Sequence, residues 1–355
     1  MKPMYALAMM IVLGTAFAAS PSLGWDNPAD RYLNAYKKYV DATCPIGADD
    51  IKHFVYFSRD RESIHDHPLL NSERFVGAQI MYSWRNLEPA EGQYDFSEIQ
   101  DDVDYLAAHG KKLFIQLQDG SFSPQYKPVP DYLLSAAYDG GAAAQFTDDG
   151  ALDGWVAKRW NGRVQARFAA LLKALGQQFD GTVEGINLQE TAIGVSAATD
   201  PSFSPAGYAE AVKINMQALR TAFPKSTTMI YANFMPGEWL PFEDEGYLRS
   251  IYAFGEKIGV GLGGPDLMFK KKGQLNHALA MMHEGEFTAP LGIAVQDGNY
   301  VGETNSEEVV QDRTNLVPAL HAFAEDFLKV NYMFWVDQKP YFQQDVLPCL
   351  AAETR

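Results

Sequence analysis

The sequence predicts a (β/α)8 barrel. Three observations lead there: short apolar runs recur along 355 residues, helical patterns separate most of them, and most runs end in a polar or aromatic cluster. Strands that alternate with helices imply right-handed βαβ units, and a series of eight closes a barrel. The runner-up is an open doubly wound sheet. The chain carries no G-x-G-x-x-G after a strand and no P-loop, which weakens the nucleotide-binding versions of that fold.

Residues 1–18 read as a secretory signal: Lys2 is a weak basic start, Tyr5 to Leu13 are apolar, and Ala16-Phe17-Ala18 fits a cleavage site. The alternative is a membrane anchor, for which the apolar run is short. Residues 19–50 then form an extension. Asn27 caps and Pro28 opens a helix expected to reach about Asp41 and to pack outside the barrel. Residues 51–355 hold the barrel. Its strands are expected at His53–Phe57, Phe75–Tyr82, Lys112–Leu117, Val183–Leu188, Thr228–Ala232, Val260–Leu262, Leu291–Val295 and Val330–Phe334. Each is short and apolar between turn residues, as buried parallel strands are.

Helices are expected between them. Phe96–His109 opens after Asp95 and closes at Gly110. Arg163–Phe179 carries a stripe of Phe168, Leu171, Leu172 and Leu175. Ser204-Pro205 opens the next, to about Phe223, followed by Tyr247–Ile258, Leu275–His283 and Ser306–Lys329. The longest connection runs from Asp119 to about Asn161 and is rich in aromatic residues. On a barrel it lies on the catalytic face, and its length implies function or small elements of its own.

The formal net charge of −16 argues against nucleic acid as a partner, because a phosphate backbone requires a basic footprint. A local basic groove remains compatible with an anionic polymer. The two cysteines, Cys44 and Cys349, form an expected disulfide in an exported, secreted or periplasmic protein; two buried thiols are the alternative. No zinc pattern is present among the histidines, and no metal or organic cofactor is expected; His65-Asp66-His67 reads as a solvated turn.

Residues at the carboxyl ends of barrel strands converge on one mouth. Here these are Arg59 and Asp60, Trp84 and Arg85, Gln118 and Asp119, Gln189 and Glu190, Asn233, Asp266, Gln296 and Asp297, then Trp335 and Asp337. Amides and carboxylates bind hydroxyls, and aromatic faces stack on sugar rings. Glycoside hydrolysis needs one protonated carboxyl and a second carboxylate. Glu190 is the expected acid, with Asp297 or Asp337 opposite. Trp84, Arg85, Gln118, Asp119, Gln189, Asn233, Asp266, Gln296 and Trp335 are expected to contact substrate. Structural alternatives stand beside several of these. Arg85 can pair with Glu190, Asp119 and Asp266 can shape turns, Asp297 can cap one, Asp337 can pair with Lys339, and Trp335 can be core.

The segment Ser83-Trp84-Arg85-Asn86-Leu87-Glu88-Pro89-Ala90-Glu91-Gly92-Gln93-Tyr94-Asp95-Phe96 resembles the second-strand segment of the retaining-glycosidase barrel clan, which includes cellulase-like and beta-galactosidase-like families. Gln189-Glu190 resembles the clan's Asn-Glu pair, whose glutamate is the acid/base. Trp335 resembles its strand-eight tryptophan, the floor of a sugar subsite. The clan's strand-seven nucleophile falls at Gln296, a carboxamide that cannot form the glycosyl ester. The resemblance therefore implies a sugar site but leaves three routes: a second aspartate opposite Glu190, assistance by a substrate acetamido group, or carbohydrate binding without cleavage.

Overall fold

The computed structural model describes residues 27–304, 309 and 316–351. The expected signal segment and most of the chain from 305 to 315 lie outside them. Eight parallel strands close the barrel: β1 (Lys52–Tyr56), β2 (Phe75–Ser83), β3 (Lys112–Gln118), β7 (Gly185–Leu188), β8 (Thr227–Tyr231), β9 (Gly261–Gly264), β10 (Leu291–Val295) and β11 (Tyr332–Val336). The long connection after β3 supplies β4 (Gly120–Ser121), β5 (Ala142–Phe146) and β6 (Leu152–Ala157), a small antiparallel sheet in the order β4-β6-β5.

Side-chain alternation fixes what fills the barrel. The rings of Phe54, Phe114 and Phe334 meet at 5.0–5.8 Å, although β2 lies between the strands of the first two. They therefore project inward, and Tyr332 stacks on Phe334 below them. Glycines on the facing strands make room. A Cβ on Gly185 would lie 2.6 Å from the Phe114 ring, and one on Gly292 would lie 2.7 Å from the Met229 sulfur. The next inward layer is polar: Gln79 Nε2 donates to the Tyr231 hydroxyl at 3.2 Å.

Outside the barrel, α1 (Trp84–Leu87), α2 (Ser97–Ala108), α3 (Gly162–Phe179), α4 (Pro205–Ala222) and α5 (Tyr247–Ile258) follow their strands. Their boundaries have local causes. The Asp95 carboxylate accepts from Ser97 N, Asn161 caps α3 through Arg163 N and Val164 N, and Ser204 caps α4 through Gly207 N. The expected stripe of α3 is buried.

Three expectations are corrected. The segment after Asn27 forms two 3-10 turns, Pro28–Asp30 and Ala35–Lys38, rather than one helix to Asp41. Its Tyr32 and Tyr39 rings pack on Phe327 and Phe323, so tertiary contact sets its shape. The helix expected at 275–283 breaks at His277 into α6 (Lys272–Asn276) and α7 (Ala278–Glu284), because the His277 ring accepts from Leu240 N and also bonds the Gly273 carbonyl. The last helix is described as α8 (Leu316–Ala322) followed by a π turn, Phe323–Phe327. Lys329 then adopts a φ of 58° and Val330 N still bonds the Ala324 carbonyl, so β11 starts two residues later than expected.

Cys44 and Cys349 are disulfide-bonded, tying the extension to the far end of the chain 305 positions away. Ile46 N also bonds the Cys349 carbonyl at 2.8 Å. A cross-link over so long a loop restricts the unfolded chain strongly. Replacing both cysteines by serine is expected to cost about 2–5 kcal/mol in denaturant unfolding. An unchanged midpoint would show that the cross-link adds nothing beyond the native packing.

Candidate active site

Glu190 stands two residues beyond the end of β7, half-buried in the mouth. The Asn233 amide, just past β8, donates to Glu190 Oε2 at 2.7 Å. Asn233 Oδ1 accepts from Ala192 N at 3.1 Å, so the amide is fixed on both sides. The Gln189 side chain does not turn to the mouth as a donor. Its Oε1 accepts from Asp119 N and Gly120 N at 3.2 and 2.7 Å, pinning the start of the long connection.

Arg159, buried after β6, holds this ensemble together. It makes a two-point pair with the Asp119 carboxylate at 2.8 and 2.6 Å. Its Nη1 donates to the Glu190 carbonyl at 2.8 Å and to the Tyr208 hydroxyl at 2.7 Å. That hydroxyl donates to the Thr191 carbonyl at 3.0 Å. The backbone on both sides of the Glu190 side chain is therefore clamped. Asp119 is consumed by this pair and is a scaffold carboxylate rather than a sugar ligand.

Burial, then the nearby Asp266 charge, pushes the Glu190 carboxyl up to about 7, against the opposing influence of Asn233 and Arg159. Asp266, just past β9, is itself raised by burial. Asn299 Nδ2 donates to Asp266 Oδ1 at 2.9 Å, while Asn299 Oδ1 accepts from Gln296 N and Leu267 N. One amide thus ties the β9 and β10 exits together. Burial raises the Tyr56 hydroxyl against a hydrogen bond with Ser58, and the charges of Asp297 and Glu190 add to the rise while Arg59 opposes it. Gln296 continues the inward parity of Ala294, whose register partner is Phe334, and is half-buried.

Other expected site residues fall elsewhere. Asp337 accepts from Gln343 Nε2 at 3.0 Å and lies 3.6 Å from His67 Nε2. The later start of β11 makes Val336 the last inward residue, so Asp337 turns away from Glu190. The same shift puts Trp335 inside the strand, facing outward, fully buried, with its indole N–H on His53 Nδ1 at 3.1 Å. It is core and not a sugar platform. Trp84 is also fully buried and donates to Glu88 at 2.8 Å; Glu88 in turn accepts from Gly92 N and pairs with Arg167. The clan-like segment is thus a folding device for the exit of β2. Arg85 pairs with Asp131 at 2.5 Å, not with Glu190.

Gln118 keeps a place at the mouth, with a buried Oε1 that has no partner among the described residues. Gln116 Oε1 and both amide atoms of Asn187 share this condition beneath it. An exposed aromatic, Phe122, lines the concavity beside Glu190 with Ile193. Residue spacing gives no signal for Arg159, Asn299 or Tyr56. The polar alternation Gln116-x-Gln118 and Asn187-x-Gln189 is the one sequence signal that marks the inner polar layer.

Asp49, His53 and His321 bring ligand-type atoms within 4.8 Å of one another outside the barrel wall. The donor set does not fit a metal well. His53 Nδ1 already accepts from Trp335, which keeps the proton on Nε2 facing Asp49, and Arg74 also bonds Asp49. The cluster reads as a buried hydrogen-bond network.

Trp335→Phe therefore leaves His53 Nδ1 buried without its donor. A loss of about 1–3 kcal/mol in unfolding free energy is expected, with KM unchanged on any saccharide turned over. A raised KM at unchanged stability would return Trp335 to the substrate site.

No protein-family model matches the chain, and no curated protein does. Solved structures do. The catalytic domain of beta-amylase from Paenibacillus polymyxa aligns over 82% of this chain and 93% of its own, at 9% identity and a TM-score of 0.54. GH5_18 from Streptomyces cattleya, in complex with GlcNAc, aligns over 83% and 71%, at 12% and 0.52. GH5_18 from Bifidobacterium longum subsp. longum, in complex with Manb1-4GlcNAc, aligns over 80% and 68%, at 14% and 0.51. At these identities the likeness is one of fold: the chain shares the closed (β/α)8 barrel of glycoside hydrolases.

Proposed function

We propose that this protein is an exported glycoside hydrolase that cleaves O-glycosidic bonds in a polysaccharide or oligosaccharide. One observation carries the reading. A carboxyl at the exit of the fourth barrel strand is oriented by Asn233 and pushed up to about 7 by burial and Asp266. A carboxyl so placed stays protonated up to near-neutral pH and can donate its proton to a leaving oxygen. Asp297 is the second carboxylate, acting on a water from across the mouth. Asp337 lies on the outward side of the β11 exit, beside His67 and Gln343, and that position favours Asp297. The disulfide supports export, since such bonds persist in oxidising compartments.

Asp266 has an electrostatic part. Its negative charge disfavours ionisation of Glu190 and so widens the pH range over which the acid is protonated. Gln296 at the strand-seven position favours a second reading, a carbohydrate-binding barrel without turnover, because it removes the usual nucleophile. Release of reducing ends by wild type, lost in Glu190→Gln, separates the two.

Glu190→Gln and Asp297→Asn are each expected to lower kcat by about 10²–10⁴-fold, while Asp337→Asn stays close to wild type. Glu190→Gln at wild-type activity would remove Glu190 from the mechanism. The basic limb of the pH profile should fall near 7, where Glu190 loses its proton. Asp266→Asn removes the charge that raises Glu190, so this limb should move to lower pH. A limb that stays in place or moves upward would show that Asp266 does not act on the acid.

A further inference from the structure

Three cations meet beside the mouth of an otherwise acidic chain, each from a different strand exit. Arg59 follows β1, Arg85 follows β2, and Lys127 lies on the connection after β3. The segment 126–129 crosses the β2 exit: Arg85 N donates to the Pro128 carbonyl at 2.8 Å, and Arg85 Nε to the Val129 carbonyl at 3.2 Å. The Arg59 guanidinium lies 4.0 Å over the Tyr126 ring, and Lys127 Nζ lies 3.5 Å over the Trp155 ring. Glu190 and Asp297 follow the carboxyl ends of β7 and β10, so the three cations stand at the same end of the barrel as these carboxylates.

Among the described residues, only Arg85 of the three forms an ion pair, with Asp131. Among the described residues, Arg59 and Lys127 make no ion pair, and Arg59 is the one arginine whose guanidinium meets no hydrogen-bond acceptor. The other described arginines each end on a carboxylate or a carbonyl. A ring face holds a guanidinium in position but accepts none of its in-plane N–H groups. Those donors are oriented and open to solvent. A neutral hydroxyl would exploit them poorly, whereas a carboxylate or sulfate matches the fork with charge-assisted bonds about twice as strong. The mouth also holds Glu190, Asp266 and Asp297, which repel a bare anion, so an acidic ligand entering it requires a cationic wall.

We propose that the mouth takes an anionic saccharide, a sugar unit bearing a carboxylate or sulfate that docks on Arg59 and Lys127. This rests on the carbohydrate reading of the mouth and names the class of sugar. An overall net charge of −16 gives the chain no general affinity for polyanions, so binding of one reports a local site.

The test is retardation of Glu190→Gln in native gels containing polygalacturonate or alginate (carboxylate), kappa-carrageenan (sulfate), or carboxyl-reduced polygalacturonate (neutral). At least one anionic polymer should retard it, and which ones do assigns carboxylate or sulfate. Arg59→Gln combined with Lys127→Gln should weaken that retardation about tenfold, at an unchanged unfolding temperature, since Arg59 is exposed and Lys127 only half-buried. Retardation by none of the anionic polymers, or retardation unchanged by the double substitution, overturns the proposal. Cleavage of a neutral polysaccharide by wild type at a KM indifferent to the double substitution overturns it too, while keeping the hydrolase. Retardation by a polymer from which wild type releases no reducing ends keeps the anionic site and counts against the hydrolase.

Discussion

The pairing of Arg159 with Asp119 is the contact on which the mouth depends. Arg159 follows β6 of the small antiparallel sheet and Asp119 stands at the exit of β3, so the pair fastens the long connection onto the barrel. A guanidinium this buried is tolerated only when its donors are matched. Two go to Asp119, and two more reach the Glu190 carbonyl and the Tyr208 hydroxyl. Gln189 reinforces the junction from the other side by accepting both Asp119 N and Gly120 N. The position of the acid is thus set through its backbone, and Asn233 fixes the carboxylate end. Without Arg159 the same strand exit would present Glu190 on a loop.

The second physical theme is charge of one sign gathered in a small space. Glu190, Asp266 and Asp297 stand at the exits of β7, β9 and β10, and burial makes ionisation of Glu190 and Asp266 costly. Asn299 orients Asp266 and ties two strand exits, so the field at Glu190 comes from a fixed carboxylate. Beneath it lies a polar layer of Gln79, Gln116, Asn187 and Tyr231, resting on a closed floor of aromatic rings. The barrel is therefore aromatic at its base and rich in amides towards the mouth. That gradient suits a ligand with hydroxyls and fits Gln296 as one more amide of the lining.

Much of this was legible in the residues. Short apolar runs and their turn residues located the strands to within a few positions, because strands buried on both faces leave few other patterns. Asp95, Asn161 and Ser204 marked helix starts that their hydrogen bonds then account for. Glu190 and Asn233 were visible as polar residues at strand exits. The errors arose where one contact distant in sequence overrode local pattern. A two-residue delay at Lys329 carried β11 on to Val336, which put Trp335 inside the strand on its outward face and left Asp337, of the same parity, to follow on that side. The His277 ring broke one helix, and Trp84 was claimed by Glu88 and the helix layer.

The sequence by itself determined the alternation of strands and helices, and hence the barrel, because hydrophobic period and turn chemistry are properties of neighbouring residues. It also determined which polar residues stand at strand exits. The tertiary structure alone decided which of them serve the mouth and which serve the frame. Parity within a parallel strand flips with each residue, and partners such as Arg159 with Asp119, Asp266 with Asn299 and Arg59 with Tyr126 are joined only when the chain closes on itself.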